Sequence, residues 1–242
     1  MSSLTRAKKK ELYKKTENSR SLKVDRPVRT HESTLPIKDE RTIDKLVDHC
    51  RFLVKRANGQ FNRYIAYRNY IIVILGLNTA LRAEDLLQLK VKDITKGRIW
   101  VTELKTLKQQ DFFLSASVQK EVELYIHEFQ LNNEEYLFQS RNRQSGEYDK
   151  PVTRKQAWRF MKEFGDYIGI KYSFGLHSLR KTFGYQYIKH AKNQWDAFLN
   201  LQRMYNHSSI KTTQLYICWD TDDVEKSREN MSIGLKGNRG TW

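Results

Sequence analysis

Three short segments of this sequence contain side chains of the types that act on phosphate esters. In chain order they contain Arg82, then His177 and Arg180 three positions apart, then His207 and Tyr216 nine positions apart. A planar guanidinium matches two phosphate oxygens at once. A histidine exchanges protons near neutral pH, and a tyrosine hydroxyl is a nucleophile only when a base or a cation assists it. Each residue alone has an ordinary structural interpretation, so only the combination points to chemistry on a phosphodiester.

The order and internal spacing of the three segments resemble the three boxes of the tyrosine recombinase (phage integrase) family. Residues 79–89 (TALRAEDLLQL) resemble the first arginine box, residues 177–183 (HSLRKTF) the second, and residues 206–216 (NHSSIKTTQLY) the third. One box is moderately specific, whereas all three in the family's order are a strong signal. The resemblance covers residues 35–217 and implies the fold of the family's catalytic domain.

The resemblance implies a role for each of the five residues. Tyr216 is the nucleophile that forms a covalent 3′-phosphotyrosyl link with DNA. His177 takes the tyrosine proton, and His207 hydrogen-bonds the phosphate. Arg82 and Arg180 hold the two non-bridging oxygens as these gain charge, where losing one donor commonly costs about a hundred- to a thousand-fold in rate. Because a DNA 5′-hydroxyl reverses the reaction, we expect no ATP and no other cofactor. His31, His127 and His190 show no grouping typical of metal ligands, so we expect no metal.

A sixth catalytic residue, a lysine on a β-hairpin, protonates the leaving 5′-oxygen in this family. Two lysines lie in the corresponding segment, and Lys105, followed by threonine as in many phage-type members, matches the pattern better than Lys108. Asp85 holds the place of a family acid that supports the arginine. Leu107 and Asn206 stand where the family often has glycine, and asparagine tolerates left-handed backbone angles well.

The charge of the chain indicates an acidic polymer as partner. Lysine and arginine number 44 against 28 acidic residues, which gives a net charge of +16 and a pI of about 9.7. DNA is the natural candidate. With 39% hydrophobic residues the chain is too apolar for a disordered polycation. Outside the catalytic set, the predicted DNA contacts are Lys8, Lys9, Lys10, Lys14, Lys15, Lys108, Lys181, Arg203 and Lys211.

Cysteine usage and hydropathy exclude several classes of protein. Cys50 and Cys218 are the two cysteines, too few for a disulfide framework or a zinc module. The longest apolar run, residues 70–77, falls short of the roughly 20 residues of a membrane span. We therefore expect no membrane partner, and a cytoplasmic, nucleoid-associated location.

Apolar periodicity predicts a mainly α protein with a small antiparallel β-sheet (α+β). Alternation between residues 94 and 114 indicates the sheet. Thr34 is predicted to cap the first helix, and Trp158, Phe160 and Phe164 are predicted to lie in the core. The predicted helices cover residues 34–59, 64–78, 83–89, 118–130, 154–168, 178–192, 194–204 and 209–217.

Three parts of the chain are expected. Residues 1–34 are interpreted as a flexible, DNA-binding arm, because the first 30 residues carry ten basic and three acidic side chains. Residues 35–217 form the catalytic domain. Residues 218–242 are a tail, with a short possible helix at 222–231, that either packs on a neighbouring protomer or frays. Most family members carry a core-binding domain before the catalytic domain, so we expect this second half of the DNA clamp to be absent or replaced by the arm.

The expected function is site-specific recombination, with integration, excision and inversion all open. The expected partners are double-stranded DNA with inverted-repeat sites, further copies of the chain that assemble from monomers into a tetramer on DNA, and accessory DNA-bending proteins. Two alternatives remain at this point. One is a DNA-binding regulator that keeps the fold, and the other is a type IB topoisomerase, which shares the mechanism.

Overall fold

A computed structural model describes residues 34–105, 107–141 and 150–219. These residues form eight α-helices, a short 3-10 turn and one three-stranded sheet, which confirms the predicted fold class. The elements are α1 (Glu40–Arg56), α2 (Gln60–Asn78), α3 (Ala83–Leu87), β1 (Ile94–Thr95), β2 (Arg98–Thr102), β3 (Gln109–Phe113), α4 (Ala116–Glu128), α5 (Arg154–Tyr167), α6 (Leu176–Lys189), α7 (Gln194–Tyr205) and α8 (Ile210–Tyr216).

Helix α2 forms the centre of the fold. Its second half is buried on all sides, with Ile71, Ile72 and Leu75 fully inaccessible, because α1, α4 and α6 pack around it. The helix ends at Asn78, and the chain then turns extended and leads directly into Arg82. The core thus fixes the start of the first arginine box. Among the described helices none is long and apolar enough to span a bilayer.

Helix α1 begins later than the sequence predicts. The Asp39 carboxylate, not Thr34, caps it by accepting a hydrogen bond from the Thr42 amide at 2.9 Å. The prediction for Thr34 is wrong because residues 34–38 run extended across α6 instead. There the Ile37 amide donates to the Thr182 hydroxyl at 2.8 Å, so a tertiary contact takes a backbone group that local capping would have used.

The core prediction for α5 is right for Phe160 and Phe164 and wrong for Trp158. The buried residues of α5 include Ala157, Phe160, Met161 and Phe164, which recur at helical spacing and form one stripe. Trp158 lies beside this stripe and is 53% exposed. Helical spacing was taken to group Trp158 with the two phenylalanines, but its angular position on the helix places it outside the buried stripe.

The predicted sheet is a meander of β1, β2 and β3 in antiparallel order. Ile99 and Phe112 face each other on the buried side, while Trp100 on the other side is exposed. The turn between β2 and β3 contains Leu107 at φ 57°, a left-handed conformation that explains why the family often has glycine there.

Helices α6, α7 and α8 bring the second and third boxes together. Asn206 ends α7 with φ 54° and ψ 40°, which confirms that asparagine stands in for glycine at this left-handed position. The preceding residue, Tyr205, is fully buried, and its hydroxyl donates to the Arg180 carbonyl. Gly184 of α6 makes room for this ring: a Cβ there would lie 2.4 Å from the Tyr205 hydroxyl and 2.8 Å from Ile217 Cγ2.

We predict that Gly184→Ala destabilises the protein by about 1–3 kcal/mol, because the new methyl group displaces a hydrogen-bonded tyrosine. Alanine is the better helix former, so the loss reports packing and not propensity. Urea unfolding followed by circular dichroism measures it. Gly175→Ala is the matched control, since its Cβ would meet no atom within 4 Å. Equal stability of the two variants would contradict the prediction.

Candidate active site

The arginines of the first and second boxes meet at one backbone carbonyl. Arg82 precedes α3 as its N-cap, and Arg180 lies inside α6. Both Nη2 atoms donate to the carbonyl oxygen of Tyr205, at 3.1 Å from Arg82 and 3.4 Å from Arg180. This oxygen lies at the carboxyl end of α7, where the helix dipole is negative. The predicted convergence of the two arginines is therefore present in the structure.

Arg180 is a buried cation with unused hydrogen-bond donors. Its residue is 3% exposed, and its Nε and Nη1 have no hydrogen-bond partner among the described residues. Burial lowers its pKa, and its guanidinium carbon lies 4.4 Å from the Tyr205 ring centroid. Buried donors in native proteins are nearly always paired. Two nitrogens with open N–H groups on a desolvated guanidinium therefore indicate an anion site.

Tyr216, at the end of α8, lies next to this anion site. Its ring is 5.9 Å from the Arg180 guanidinium carbon and 5.1 Å from the His207 ring, in an edge-on arrangement. Burial raises the pKa of the Tyr216 hydroxyl, while the charges of Arg180 and Arg82 act in the opposite direction. The phenol is therefore protonated at neutral pH and needs a base before it can attack.

Both box histidines are neutral at pH 7. Desolvation, followed by the charges of Arg180 and Arg82, lowers the pKa of His207 to about 4. Its Nδ1 lies 3.0 Å from the Thr213 hydroxyl. Desolvation, followed by the charges of Arg154, Arg180 and Lys181, also lowers the pKa of His177. A neutral imidazole can accept a proton, which is what the predicted base requires.

His177 and Lys105 are the two predicted catalytic residues that stand apart from the central group. His177 lies one helical turn before Arg180 on the same face of α6, with an exposed side chain. Lys105 is exposed on the β2–β3 turn. Within the described residues neither makes a hydrogen bond to the two arginines, His207 or Tyr216. Lys108 reaches the third box, where its Nζ lies 3.4 Å from Asn206 Oδ1.

The acid of the first box is hydrogen-bonded to the hairpin. Asp85 is 3% exposed, and its Oδ1 accepts a hydrogen bond from the Leu104 amide at 2.9 Å. Burial raises the pKa of this carboxyl. We expected Asp85 to support the arginine and the geometry of the site. The charges of Arg82 and Arg180 act on its carboxyl, while the ion pair with Arg82 is formed by Glu103.

Glu103 is the residue of this site that the sequence analysis missed. It directly follows β2, is 2% exposed, and its Oε2 accepts a hydrogen bond from Asn206 Nδ2 at 2.8 Å. Period-two alternation contained a signal, because Ile99, Val101 and Glu103 fall on the same face of the strand. An acid at an inward-facing position requires a buried partner.

The predicted DNA contacts differ in exposure. Arg203, in the last turn of α7, and Lys211, in α8, are exposed. Lys181 is buried: its Nζ donates to the Thr34 carbonyl at 2.5 Å and lies 5.2 Å from the Tyr216 ring centroid. The five lysines predicted in the arm, and the possible helix at 222–231, lie outside the described residues. In the described part of the chain, no three His, Cys, Asp or Glu side chains are grouped so as to hold a metal ion.

Comparison with known proteins identifies the family to which the chain belongs. Residues 40–222 match the phage integrase family. The chain belongs to this family. A probable integrase/recombinase of Bacillus subtilis, YoeC, is 40% identical over 157 residues, which are 64% of this chain and 80% of YoeC. Tyrosine recombinase XerA of Pyrococcus furiosus is 30% identical over 151 residues, 62% of this chain and 49% of XerA.

Solved structures of tyrosine recombinases share the fold. The crystal structure of XerA recombinase superposes with a TM-score of 0.59 at 19% identity, covering 87% of this chain and 68% of XerA. XerH recombinase bound to a palindromic difH substrate gives 0.60 at 20% identity, covering 81% of this chain and 53% of XerH. The tyrosine recombinase catalytic-domain fold implied by the three boxes is confirmed. The chain spans four fifths of YoeC but about half of the curated XerA from Pyrococcus.

We predict that His207 makes the stability of this integrase-family chain depend on pH. Its folded-state pKa of about 4 lies below the ordinary 6.5, so between these values the unfolded chain binds a proton that the folded chain does not. The free energy of unfolding therefore falls as pH decreases from 6.5 to 4, by about 1–3 kcal/mol from this residue. Urea unfolding across that pH range measures the effect.

His207→Gln removes the titrating group and should flatten this part of the pH profile. His127→Gln, at an exposed position of α4, is the matched control and should keep the wild-type slope. Parallel profiles for all three proteins would show that His207 does not titrate as described.

Proposed function

We propose that this chain is a site-specific DNA recombinase that cuts and rejoins duplex DNA through a 3′-phosphotyrosyl link to Tyr216. The observation that carries the proposal is the pair of open, buried N–H donors of Arg180 beside the Tyr216 ring. Family membership and the relatives named integrase/recombinase and tyrosine recombinase support the same reaction.

The proposed cleavage step uses the six predicted catalytic residues. A non-bridging phosphate oxygen accepts hydrogen bonds from Arg180, with Arg82 beside it. The Tyr216 oxygen attacks phosphorus and gives its proton to neutral His177. The bond from phosphorus to the 5′-oxygen breaks, its electron pair stays on that oxygen, and the ammonium of Lys105 protonates it. Rejoining runs the same steps backwards, so the energy of the phosphodiester bond is kept.

His207 contributes a hydrogen bond to the phosphate in this scheme. The Thr213 hydroxyl has two acceptors within reach, His207 Nδ1 at 3.0 Å and the Ser209 carbonyl at 3.4 Å. In the tautomer in which it donates to Nδ1, the neutral ring carries its proton on Nε2 and can donate it to a phosphate oxygen. A neutral donor suits a site that already contains two guanidinium groups. The lowered pKa of His207 therefore supports this role.

The wider assembly is also part of the proposal. Double-stranded DNA with inverted-repeat sites is the substrate, which the net charge of +16 favours. Monomers assemble into a tetramer on DNA, assisted by DNA-bending proteins, in the cytoplasm at the nucleoid. Residues 1–34 act as a DNA-binding arm, residues 35–217 as the catalytic domain, and residues 218–242 as a tail between protomers. Integration, excision and inversion all use this chemistry.

Covalent trapping tests the central step. Wild-type protein is incubated with fragmented, nicked host DNA and denatured in detergent, and the attached DNA is sequenced. We expect an adduct enriched in one inverted-repeat sequence. Tyr216→Phe should give none while binding DNA within about threefold of wild type, since only the nucleophilic oxygen is lost. Tyr167→Phe, at an exposed tyrosine, is the matched control and should form the adduct.

The other outcomes separate the alternatives. An adduct formed by Tyr216→Phe would contradict the assignment of the nucleophile. Adducts without sequence preference would favour a type IB topoisomerase. Tight, sequence-specific binding with no adduct from wild type would favour a DNA-binding regulator.

We further predict that Arg180→Lys lowers the cleavage rate about a hundred- to a thousand-fold, because an ammonium cannot replace two planar donors. Single-turnover formation of the adduct on the recovered site measures the rate. Arg159→Lys, on the exposed face of α5, is the control and should cleave like wild type. A loss below tenfold would mean that Arg180 does not hold the phosphate.

A further inference from the structure

A buried carboxylate lies at the base of the hairpin that carries the candidate lysines. Glu103 directly follows β2, two positions before Lys105 and five before Lys108, and it is 2% exposed. Burying a carboxylate costs several kcal/mol unless partners compensate for the lost hydration. A surface turn does not require such a residue, so its contacts show what it contributes.

The Glu103 side chain joins the first box to the third. One carboxylate oxygen is ion-paired with Arg82, and the other accepts a hydrogen bond from Asn206 Nδ2 at 2.8 Å. Arg82 in turn donates to the Tyr205 carbonyl, and Asn206 directly precedes His207. A single acid therefore contacts the guanidinium proposed to lie beside the phosphate and the residue next to a phosphate-binding histidine.

The Glu103 backbone closes the lysine turn. Its amide donates to the Lys108 carbonyl at 2.9 Å, and its carbonyl accepts from the Leu107 amide at 2.8 Å. The next residue, Leu104, is held by Asp85 through its amide. The turn and the arginine thus share one anchor, with the main chain of Glu103 fixing the turn and its side chain fixing Arg82.

We propose that Glu103 is a positioning residue that fixes the lysine turn relative to Arg82, so that the proton donor and the phosphate clamp are aligned as one unit. The proposal rests on the proposed function. In the cleavage step the hairpin ammonium gives its proton to the 5′-oxygen as the bond to phosphorus breaks. Glu103 exchanges no proton in this step.

The alternative to positioning is inhibition. In that case Glu103 would compete with DNA for Arg82, and removing its charge would speed cleavage. In positioning, removing the charge leaves the arginine and the turn free to move apart, and cleavage slows because the proton arrives poorly aligned. The chemistry of the leaving group can separate these cases, because a sulfur leaving group needs no proton whereas an oxygen does.

The test compares two duplexes carrying the site recovered by covalent trapping, one with the natural 5′-oxygen and one with a 5′-bridging sulfur at the scissile phosphate. Glu103→Gln keeps the shape of the side chain and removes its charge. We expect it to cleave the oxygen duplex about ten- to a hundred-fold more slowly than wild type, and the sulfur duplex within about threefold of wild type. Lys105→Ala should show the same recovery on sulfur, and Tyr216→Phe should cleave neither duplex.

Asp111→Asn is the matched control on the same hairpin, because it removes an exposed carboxylate that pairs with Arg98 outside the site. It should cleave both duplexes like wild type. Asn206→Gly is the second variant, for use if Glu103→Gln fails to fold. It keeps the left-handed backbone, removes the amide that holds Glu103, and should show a smaller defect of the same kind.

Each remaining result overturns the inference. Equally slow cleavage of both duplexes by Glu103→Gln would mean that the residue serves Arg82 or the fold alone. Faster cleavage than wild type would show that Glu103 inhibits the site by competing with DNA for Arg82. Unchanged cleavage would show that Glu103 has no role in the reaction. Failure of the wild type on both duplexes would instead count against the proposed function, so the two failures can be told apart.

Discussion

The carbonyl oxygen of Tyr205 is the point on which the arrangement of the site depends. It accepts hydrogen bonds from both Arg82 and Arg180, and so holds two like charges close together. The negative end of α7 opposes part of their repulsion, and the carboxylate of Glu103, which forms an ion pair with Arg82, opposes more. The oxygen is available because α7 stops at Asn206, whose left-handed backbone turns the chain away from the helix axis.

The surrounding packing keeps that oxygen in place. The Tyr205 ring is fully buried, its hydroxyl is bonded to the Arg180 carbonyl, and Gly184 leaves the space that the ring needs. Positioning of this kind sets the donors before a substrate arrives, so little reorganisation is required when charge develops on a phosphate. Apolar burial in α6, α7 and α8 thus supplies the rigidity that an electrostatic site requires.

The sequence predicted the parts of this structure that depend on residue type and short spacing. The three boxes identified the arginines, histidines and tyrosine, and periodicity placed the helices and the small sheet. The sequence did not predict interactions between residues that are far apart in the chain. Glu103 belongs to the site because it forms an ion pair with Arg82, which lies 21 positions earlier in the chain. Thr34 does not cap α1, because its segment is bound to α6 instead. The error at Trp158 had another cause, since it was grouped with Phe160 and Phe164 by helical spacing although its angular position on α5 differs from theirs.

The position of Thr34 limits how far from Tyr216 the preceding part of the chain can extend. Its carbonyl is bonded to Lys181, whose ammonium lies 5.2 Å from the Tyr216 ring centroid. The chain before Thr34 therefore starts near Tyr216 and extends by at most about 3.3–3.6 Å per residue. Ten residues span about 34 Å, close to one helical turn of duplex DNA. If Tyr216 acts on DNA as proposed, the number of residues before Thr34 sets the greatest distance from Tyr216 at which an upstream basic residue could contact the phosphate backbone, at most about one turn of DNA for every ten residues.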